Sequence, residues 1–362
     1  MQLAKATVAG AGALAETAQE TPSQLRVNVT SPNGTTQAGL ERPNSILTVP
    51  FAKTRSRLLR RNCMLPCATM IWCCPQLGDG FSAKVFAETP NARCKMLANF
   101  GVGYNHIDVS AANAAGITVS NTPGAVTDAT ADIALTLMLM TCRRAGEGER
   151  LVRSSAWKGW HPTQMLGLHM TGKTVGIVGF GRIGTAIARR CHFGFGMKVL
   201  FHNRSKKQVD FPATQVDDLA SLAAQVDILV AAVPGGAETR HIIDAGVFAE
   251  MHPTAHFVNI SRGDVVDEAA LITALENGVI AGAGLDVYEH EPHVPDGLKS
   301  LENVVLLPHL GTAALEVREA MGLMAVENLV AFNAGKRPRT KFRGFGAVHN
   351  SRQALLLENR RN

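Results

Sequence analysis

The sequence predicts an α/β protein whose larger part is a doubly wound parallel sheet with helices on both faces. Two observations carry this. From Lys173 onward, short runs rich in Val, Ile, Leu and Ala alternate with helix-length segments, the rhythm of βαβ units. Runs such as Ile228-Leu229-Val230-Ala231-Ala232 are continuously apolar, which fits strands buried on both faces. At 362 residues the chain exceeds a usual single domain, so two domains are expected.

Residues 1 to about 85 carry scattered Pro, Ser, Thr and Arg and show no clear βαβ rhythm. The rhythm begins with a strand at Lys95–Asn99, the loop Phe100–Gly103 and a second strand at Ile117–Ser120. Thr127–Arg144 predicts a long helix that is apolar nearly all round, the pattern of a helix buried between domains or subunits. Further strands are predicted at Thr174–Gly179, Lys198–His202, Ile228–Ala232, His256–Ile260, Ala281–Asp286 and Val304–Leu307. Residues 312–335 predict a final helix.

An apolar share of 46% with 18% charged residues supports packed cores and excludes a disordered chain. The net charge of +6 sits at the ends: residues 336–362 hold eight Lys/Arg against one acid, whereas 92–335 hold 19 against 24. That tail reads as solvated, and an aromatic share of 5% argues against a nucleic-acid stacking platform, so no nucleic-acid partner is expected. No uninterrupted apolar run reaches membrane-spanning length and no signal-peptide pattern opens the chain, so no membrane partner is expected. Seven cysteines, an odd number, do not form a secreted disulfide framework, which points to a reducing, cytoplasmic setting. Cys63, Cys67, Cys73 and Cys74 cluster without regular CxxC pairs, and the adjacent Cys73 and Cys74 suit a tetrahedral ion poorly; no metal is expected.

The strand Thr174–Val178 runs into Gly179-Phe180-Gly181-Arg182-Ile183-Gly184 and then a helical segment. A lone GxGxxG is weak, but strand, glycines and helix in that order make a Rossmann-type dinucleotide site. The first glycine permits the tight turn, the second lets the backbone approach the pyrophosphate, and the third lets helix and strand pack. The helix N-terminus then offers free N–H groups to the phosphates. At the end of the next strand an NAD enzyme needs an acid for the ribose 2′-hydroxyl. Here stand Asn203-Arg204-Ser205-Lys206-Lys207, with no acid before Asp210. Cations and a hydroxyl suit a 2′-phosphate, which favours NADP and leaves NAD as the alternative.

Beside such a site, Arg262, Glu291 and His309 follow three consecutive predicted strands, at the ends where open α/β sheets place ligands. The trio suits reduction of a 2-keto acid. Arg262 is a cation for the carboxylate and carbonyl, His309 a proton donor near neutrality, and Glu291 the carboxylate that keeps it protonated.

The pieces Asn99–Asp108, Asn121-Thr122-Pro123-Gly124, Gly179–Gly184, Val233–Thr239, Asn259–Asp264, Gly284–Pro292 and Pro308–Thr312 together resemble the D-isomer-specific 2-hydroxyacid dehydrogenase family. More narrowly they are similar to its glyoxylate/hydroxypyruvate reductase branch, and the resemblance spans about residues 90–335. It implies a flavodoxin-like α/β substrate domain from residues 1–122 and 313–336, a Rossmann domain with a dimerisation helix over 123–312, and a basic tail at 337–362. It implies that Arg262 binds substrate, that His309 is the acid/base paired with Glu291, and that Val102 and Gly103 offer N–H groups to the substrate carboxylate. Asp286 is implied to receive the nicotinamide amide, with Val233, Ile260 and Gly311 also at the cofactor. Glu289 and His290 read as loop residues. Trp157 and Trp160 lie where that branch reaches toward a partner subunit's active site, with core packing the alternative. The apolar helix Thr127–Arg144 suggests a homodimer. Competing readings are a phosphoglycerate- or D-lactate-type dehydrogenase and a non-catalytic dinucleotide sensor; retention of Arg262, Glu291 and His309 speaks against the sensor.

Residues 1–80 depart from the family pattern, as does the tail: Met70–Gln76 stands where an apolar strand ending in Pro-Thr is expected. A single-base shift of reading frame would produce such a change.

Overall fold

A computed structural model describes residues 72–341 except Leu77. Most of the atypical N-terminal stretch, with Cys63 and Cys67, and the tail beyond Lys341 lie outside the described residues. The chain divides into two compact units, one built from both chain ends, up to Ala125 and from Leu315, and one from Val126–Ala314.

The first unit opens with β1 (Trp72–Cys73), α1 (Ala83–Ala87), β2 (Met96–Ala98), α2 (Val109–Ala114) and β3 (Thr118–Ser120). The three strands pair in parallel in the order β1-β2-β3, with Trp72 opposite Met96 and Met96 opposite Thr118. The pleat sorts β2 between two cores. Leu97 joins Val85 and Phe86 of α1 and Ala112 of α2, while Met96 and Ala98 face the other way. Asp108 caps α2, its carboxylate accepting the Ala111 N–H at 2.8 Å. Trp72–Cys73, which breaks the expected strand pattern, still pairs with β2, because a large apolar and a small apolar residue suit a half-buried pleat.

The second unit runs α3 (Thr127–Cys142), α4 (Ala145–Arg153), β4 (Thr174–Val178), α5 (Arg182–Phe195), β5 (Lys198–His202), β6 (Thr214–Gln215) and α6 (Leu219–Ala223). It continues through β7 (Ile228–Ala231), α7 (Ala245–Glu250), β8 (His256–Asn259), α8 (Glu268–Glu276), β9 (Gly282–Leu285), α9 (Asp296–Lys299) and β10 (Val304–Leu306). All strands are parallel in the order β10-β9-β8-β7-β4-β5-β6. From β4 the chain winds outward through β5 and β6, then returns to β7 on the other side of β4. That reversal makes a switch point at the carboxyl end of β4. Val175, Ile177, Val199 and Phe201 bury against α3 and α5, whereas Val178, Leu200 and Leu229 bury against α6, α7 and α8.

α3 ends at Cys142, and its apolar circumference is used mostly inside its own unit. Ala131, Ala134, Leu137 and Met138 are fully buried, and a Cβ at Gly284 would lie 3.0 Å from the Leu137 Cβ, so strand and helix touch. Sheet contact accounts for most of its apolar composition, and Leu139 is its one large apolar side chain that is exposed.

The last helix, α10 (Leu315–Asn333), belongs to the first unit, where Ala325 and Leu329 pack on Met96 and Ala98. The chain then turns back. The buried Asn328 donates from Nδ2 to Thr340 Oγ1 at 2.7 Å and accepts the Thr340 N–H at 3.3 Å, while Thr340 Oγ1 donates to the Asn121 carbonyl at 2.6 Å. Pro338 is buried and Lys341 bridges Ser120, so the segment expected to begin a solvated tail is docked through 341. No helix among the described residues is long and apolar enough to cross a membrane.

Asn328→Ala strands the Thr340 N–H and is expected to cost about 1–3 kcal/mol in urea unfolding. An unchanged midpoint would show that this lock contributes nothing.

Candidate active site

The glycine turn after β4 is shaped by close approach. Gly179 has φ +97°, and a Cβ there would stand 2.8 Å from the Ala232 carbonyl oxygen and the Val233 nitrogen. A Cβ at Gly184 would stand 2.1 Å from the Gly179 carbonyl oxygen. Around Gly181 the situation reverses: a Cβ there meets nothing within 4 Å, so the missing side chain leaves open space before α5. The first N–H groups of α5, from Arg182 through Gly184, lack intrahelical acceptors by helix geometry. Open space facing those donors fits a dinucleotide pyrophosphate. Phe180 itself is a core residue, stacked on Phe201 at 3.8 Å between ring centroids, and only its backbone belongs to the turn.

The end of β5 is tied to this turn. Asn203 Oδ1 accepts the Phe180 N–H at 3.0 Å, and Asn203 Nδ2 donates to the Ser205 carbonyl at 2.7 Å and to Ser205 Oγ at 3.1 Å. Arg204 Nη1 donates to Glu238 Oε2 at 2.7 Å, both side chains being exposed. Sequence reading missed Glu238, because 34 residues separate it from Arg204 and only the sheet order brings the two loops together.

Arg262 leaves β8 on a loop held by Asn259, which is 1% exposed. Asn259 Nδ2 donates to the Arg262 carbonyl at 3.0 Å, and its Oδ1 accepts the Ser261 N–H at 3.0 Å. Burial pulls the Arg262 guanidinium below its ordinary value, with the charges of Glu291 and Asp264 opposing. Gly235 makes room for it: a Cβ there would stand 2.7 Å from Arg262 Cγ. The Gly235-Gly236 pair after β7 was the available signal for that clearance.

His309 Nδ1 and Glu291 Oε2 are 2.8 Å apart. Burial pushes the Glu291 carboxyl up, but the hydrogen bond and charge of His309, the Tyr288 N–H at 3.1 Å and the charge of Arg262 outweigh it, holding Glu291 below the usual range. An ionised Glu291 can only accept, so Nδ1 carries the shared proton and Nε2 is left to act elsewhere. His309 has φ +56°, a left-handed conformation that Asp286 secures from below. The Asp286 oxygens accept the Leu310 N–H at 2.6 Å and the Gly311 N–H at 2.7 Å, and its backbone carbonyl accepts the His309 N–H at 2.9 Å.

Two residues expected at the cofactor thus have protein partners. Asp286 is 1% exposed with both oxygens on the His309 loop, and the Gly311 carbonyl accepts from Thr130 Oγ1 at 3.0 Å. Val233 stands against Gly179, and Ile260 is buried at the end of β8. Glu289 is more than a loop filler, since its carboxylate pairs with Arg240 and His241, each at 2.9 Å.

In the first unit, the carbonyls of the loop carrying Val102 and Gly103 are engaged internally. Asn99 Nδ2 donates to the Gly101 and Gly103 carbonyls at 3.0 and 2.9 Å, and Asn121 Nδ2 to the Val102 carbonyl at 3.0 Å. Trp157 and Trp160 are 51% and 79% exposed in the second unit, which corrects core packing as the reading for them.

A glycine turn at a sheet switch point, with Arg, Glu and His at neighbouring strand ends, defines a nicotinamide dinucleotide-dependent oxidoreductase. Residues 135–311 match the family described as D-isomer specific 2-hydroxyacid dehydrogenase, NAD binding domain. The glyoxylate reductase of Pyrococcus furiosus is 46% identical over 270 residues, 73% of this chain and 80% of the relative. That of Thermococcus kodakarensis is 47% identical over 271 residues, with the same shares covered. Among solved structures, the NADPH-dependent glyoxylate/hydroxypyruvate reductase of Sinorhizobium meliloti with NADP and malonate is 40% identical. It gives a TM-score of 0.70, with 75% of this chain and 83% of that one covered. The chain belongs to the D-isomer specific 2-hydroxyacid dehydrogenase family. Residues 1–45, outside the described residues, match a different family, described as pyrroline-5-carboxylate reductase dimerisation.

Because Glu291 titrates lower in the folded than in the unfolded chain, its ionisation adds stability above the ordinary value of 4.5. That stability is lost as pH falls through the folded value. Glu291→Gln is expected to flatten the acid limb of stability measured against pH. An acid limb identical to that of the unmodified protein would contradict the pairing.

Proposed function

We propose that the chain is an NADPH-dependent reductase of small 2-keto acids of the glyoxylate and hydroxypyruvate type. The observation that carries this reading is the 2.8 Å His309–Glu291 pair standing with Arg262 at the ends of neighbouring strands. The similar glyoxylate reductases, and the relative solved with NADP and malonate, support the substrate class and cofactor.

When bound, the nicotinamide cofactor supplies a hydride to the substrate carbonyl carbon. The Arg262 guanidinium holds the substrate carboxylate and polarises the carbonyl, and its fork geometry fixes both at once. His309 gives its Nε2 proton to the carbonyl oxygen as charge builds there. Glu291, ionised and hydrogen-bonded to Nδ1, orients the ring and aims Nε2 at the substrate. The Val102 and Gly103 N–H groups are further donors to the carboxylate; their loop carbonyls are occupied and do not repel an anion.

The backbone from Gly179 through Gly184 holds the pyrophosphate, with Val233 and Ile260 lining the site. Asn203, Arg204 and Ser205 bind the 2′-phosphate, for which an acid at this position would be repulsive. Asp286 receives the nicotinamide amide in this reading and Gly311 lies beside the cofactor, while the Asp286 carboxylate also holds the His309 loop. The protein works as a homodimer in this reading, for which the exposed indoles of Trp157 and Trp160 and the exposed Leu166 offer apolar surface.

His309→Asn is expected to lower kcat for glyoxylate about 10²–10⁴-fold while NADPH affinity holds, the range of a lost general acid. Equal turnover by the variant would remove His309 from the chemistry. Arg204→Asp should reverse the preference for NADPH over NADH in kcat/KM; an unchanged ratio would contradict the assignment of the 2′-phosphate site.

A further inference from the structure

Arg204 and Glu238 form a bridge over the dinucleotide turn. In the sheet, β5 and β7 are the two neighbours of β4, so the loops leaving them flank the turn Gly179–Gly184 on either side. Arg204 follows β5, and Glu238 lies in the short 3₁₀ turn Ala237–Thr239 that follows β7. Their side chains meet at 2.7 Å. The backbones on both sides are anchored, one by Asn203 on the Phe180 N–H and the other by Val233 against Gly179. The two charged tips, each about three-quarters exposed, lie where a ligand in solution can reach them.

We infer that Glu238 is a specificity-determining residue that holds Arg204 across the groove and releases it only to a 2′-phosphate. The inference rests on the NADPH reading above and deepens it. A cofactor carrying the 2′-phosphate must take Arg204 from Glu238, and it then places a dianion near the abandoned carboxylate. Both effects oppose it. A cofactor with a free 2′-hydroxyl leaves the pair in place and meets neither effect. Glu238 therefore narrows the preference for NADPH below what Arg204 alone provides. Because the pair is exposed, the effect is modest and is screened by salt.

The test is direct cofactor binding to the full chain, followed by fluorescence titration with NADPH and NADH. Glu238→Gln keeps the shape and removes the charge. It should tighten NADPH about two- to fivefold at low ionic strength, the range an exposed ion pair supports, and leave NADH unchanged. The gain should shrink in high salt, and it should be smaller in a chain that also carries Arg204→Gln. Arg204→Gln alone should weaken NADPH selectively. If Arg204→Gln behaves so while Glu238→Gln leaves the NADPH/NADH ratio unchanged, or tightens both cofactors equally, the inference is overturned and the NADPH reading stands. If Arg204→Gln leaves the ratio unchanged, the NADPH reading itself fails.

Discussion

Of the seven parallel strands of the second unit, all but the short polar edge strand β6 are largely buried on both faces, and this constrains the unit. Their inward and outward side chains are almost all apolar, so chemistry is confined to the strand ends. Asp286 stands at the limit of that rule. Its carboxylate, 1% exposed at the end of β9, survives there only because Leu310 and Gly311 each give it a backbone N–H. Burial still pushes its carboxyl up, against those hydrogen bonds and the charge of His309. In return the bonds fix the loop after β10, and with it the left-handed His309.

The electrostatics of the candidate site follow from that placement. Glu291 is drawn down by His309 and Arg262 although burial opposes it, and Arg262 is partly desolvated with Glu291 opposing. The Glu291 carboxylate and the Arg262 guanidinium therefore oppose the effect of burial on each other. Asn259 and Gly235 act by geometry, one gripping the Arg262 loop and the other clearing the space for its stem.

Much of this was legible in the sequence. The strands from Thr174 onward announce themselves because a doubly covered strand must be continuously apolar, and Arg262, Glu291 and His309 stand out as candidates because they follow strand ends. What was not legible depends on contacts between distant residues. The burial of α3 within its own unit requires knowing that Leu137 meets Gly284. Docking of the chain after α10 hangs on Asn328 reaching Thr340 and Asn121, three polar residues with no local signature. That Asp286 also holds the loop after β10 had no local signature, because the donors are backbone N–H groups 24 and 25 residues further along the chain. Glu238 could be found only once β5 and β7 were known to flank β4.

The most direct test of the central claim is to follow the hydride. Full-length protein is incubated with glyoxylate and NADPH deuterated at the transferable C4 position of the nicotinamide, and the product is analysed by mass spectrometry and NMR. The account predicts one deuterium at C2 of glycolate for each NADPH oxidised, with the yield falling away in a chain carrying Arg262→Gln. NADPH oxidation without deuterium in glycolate, or equal transfer by the variant, would contradict it.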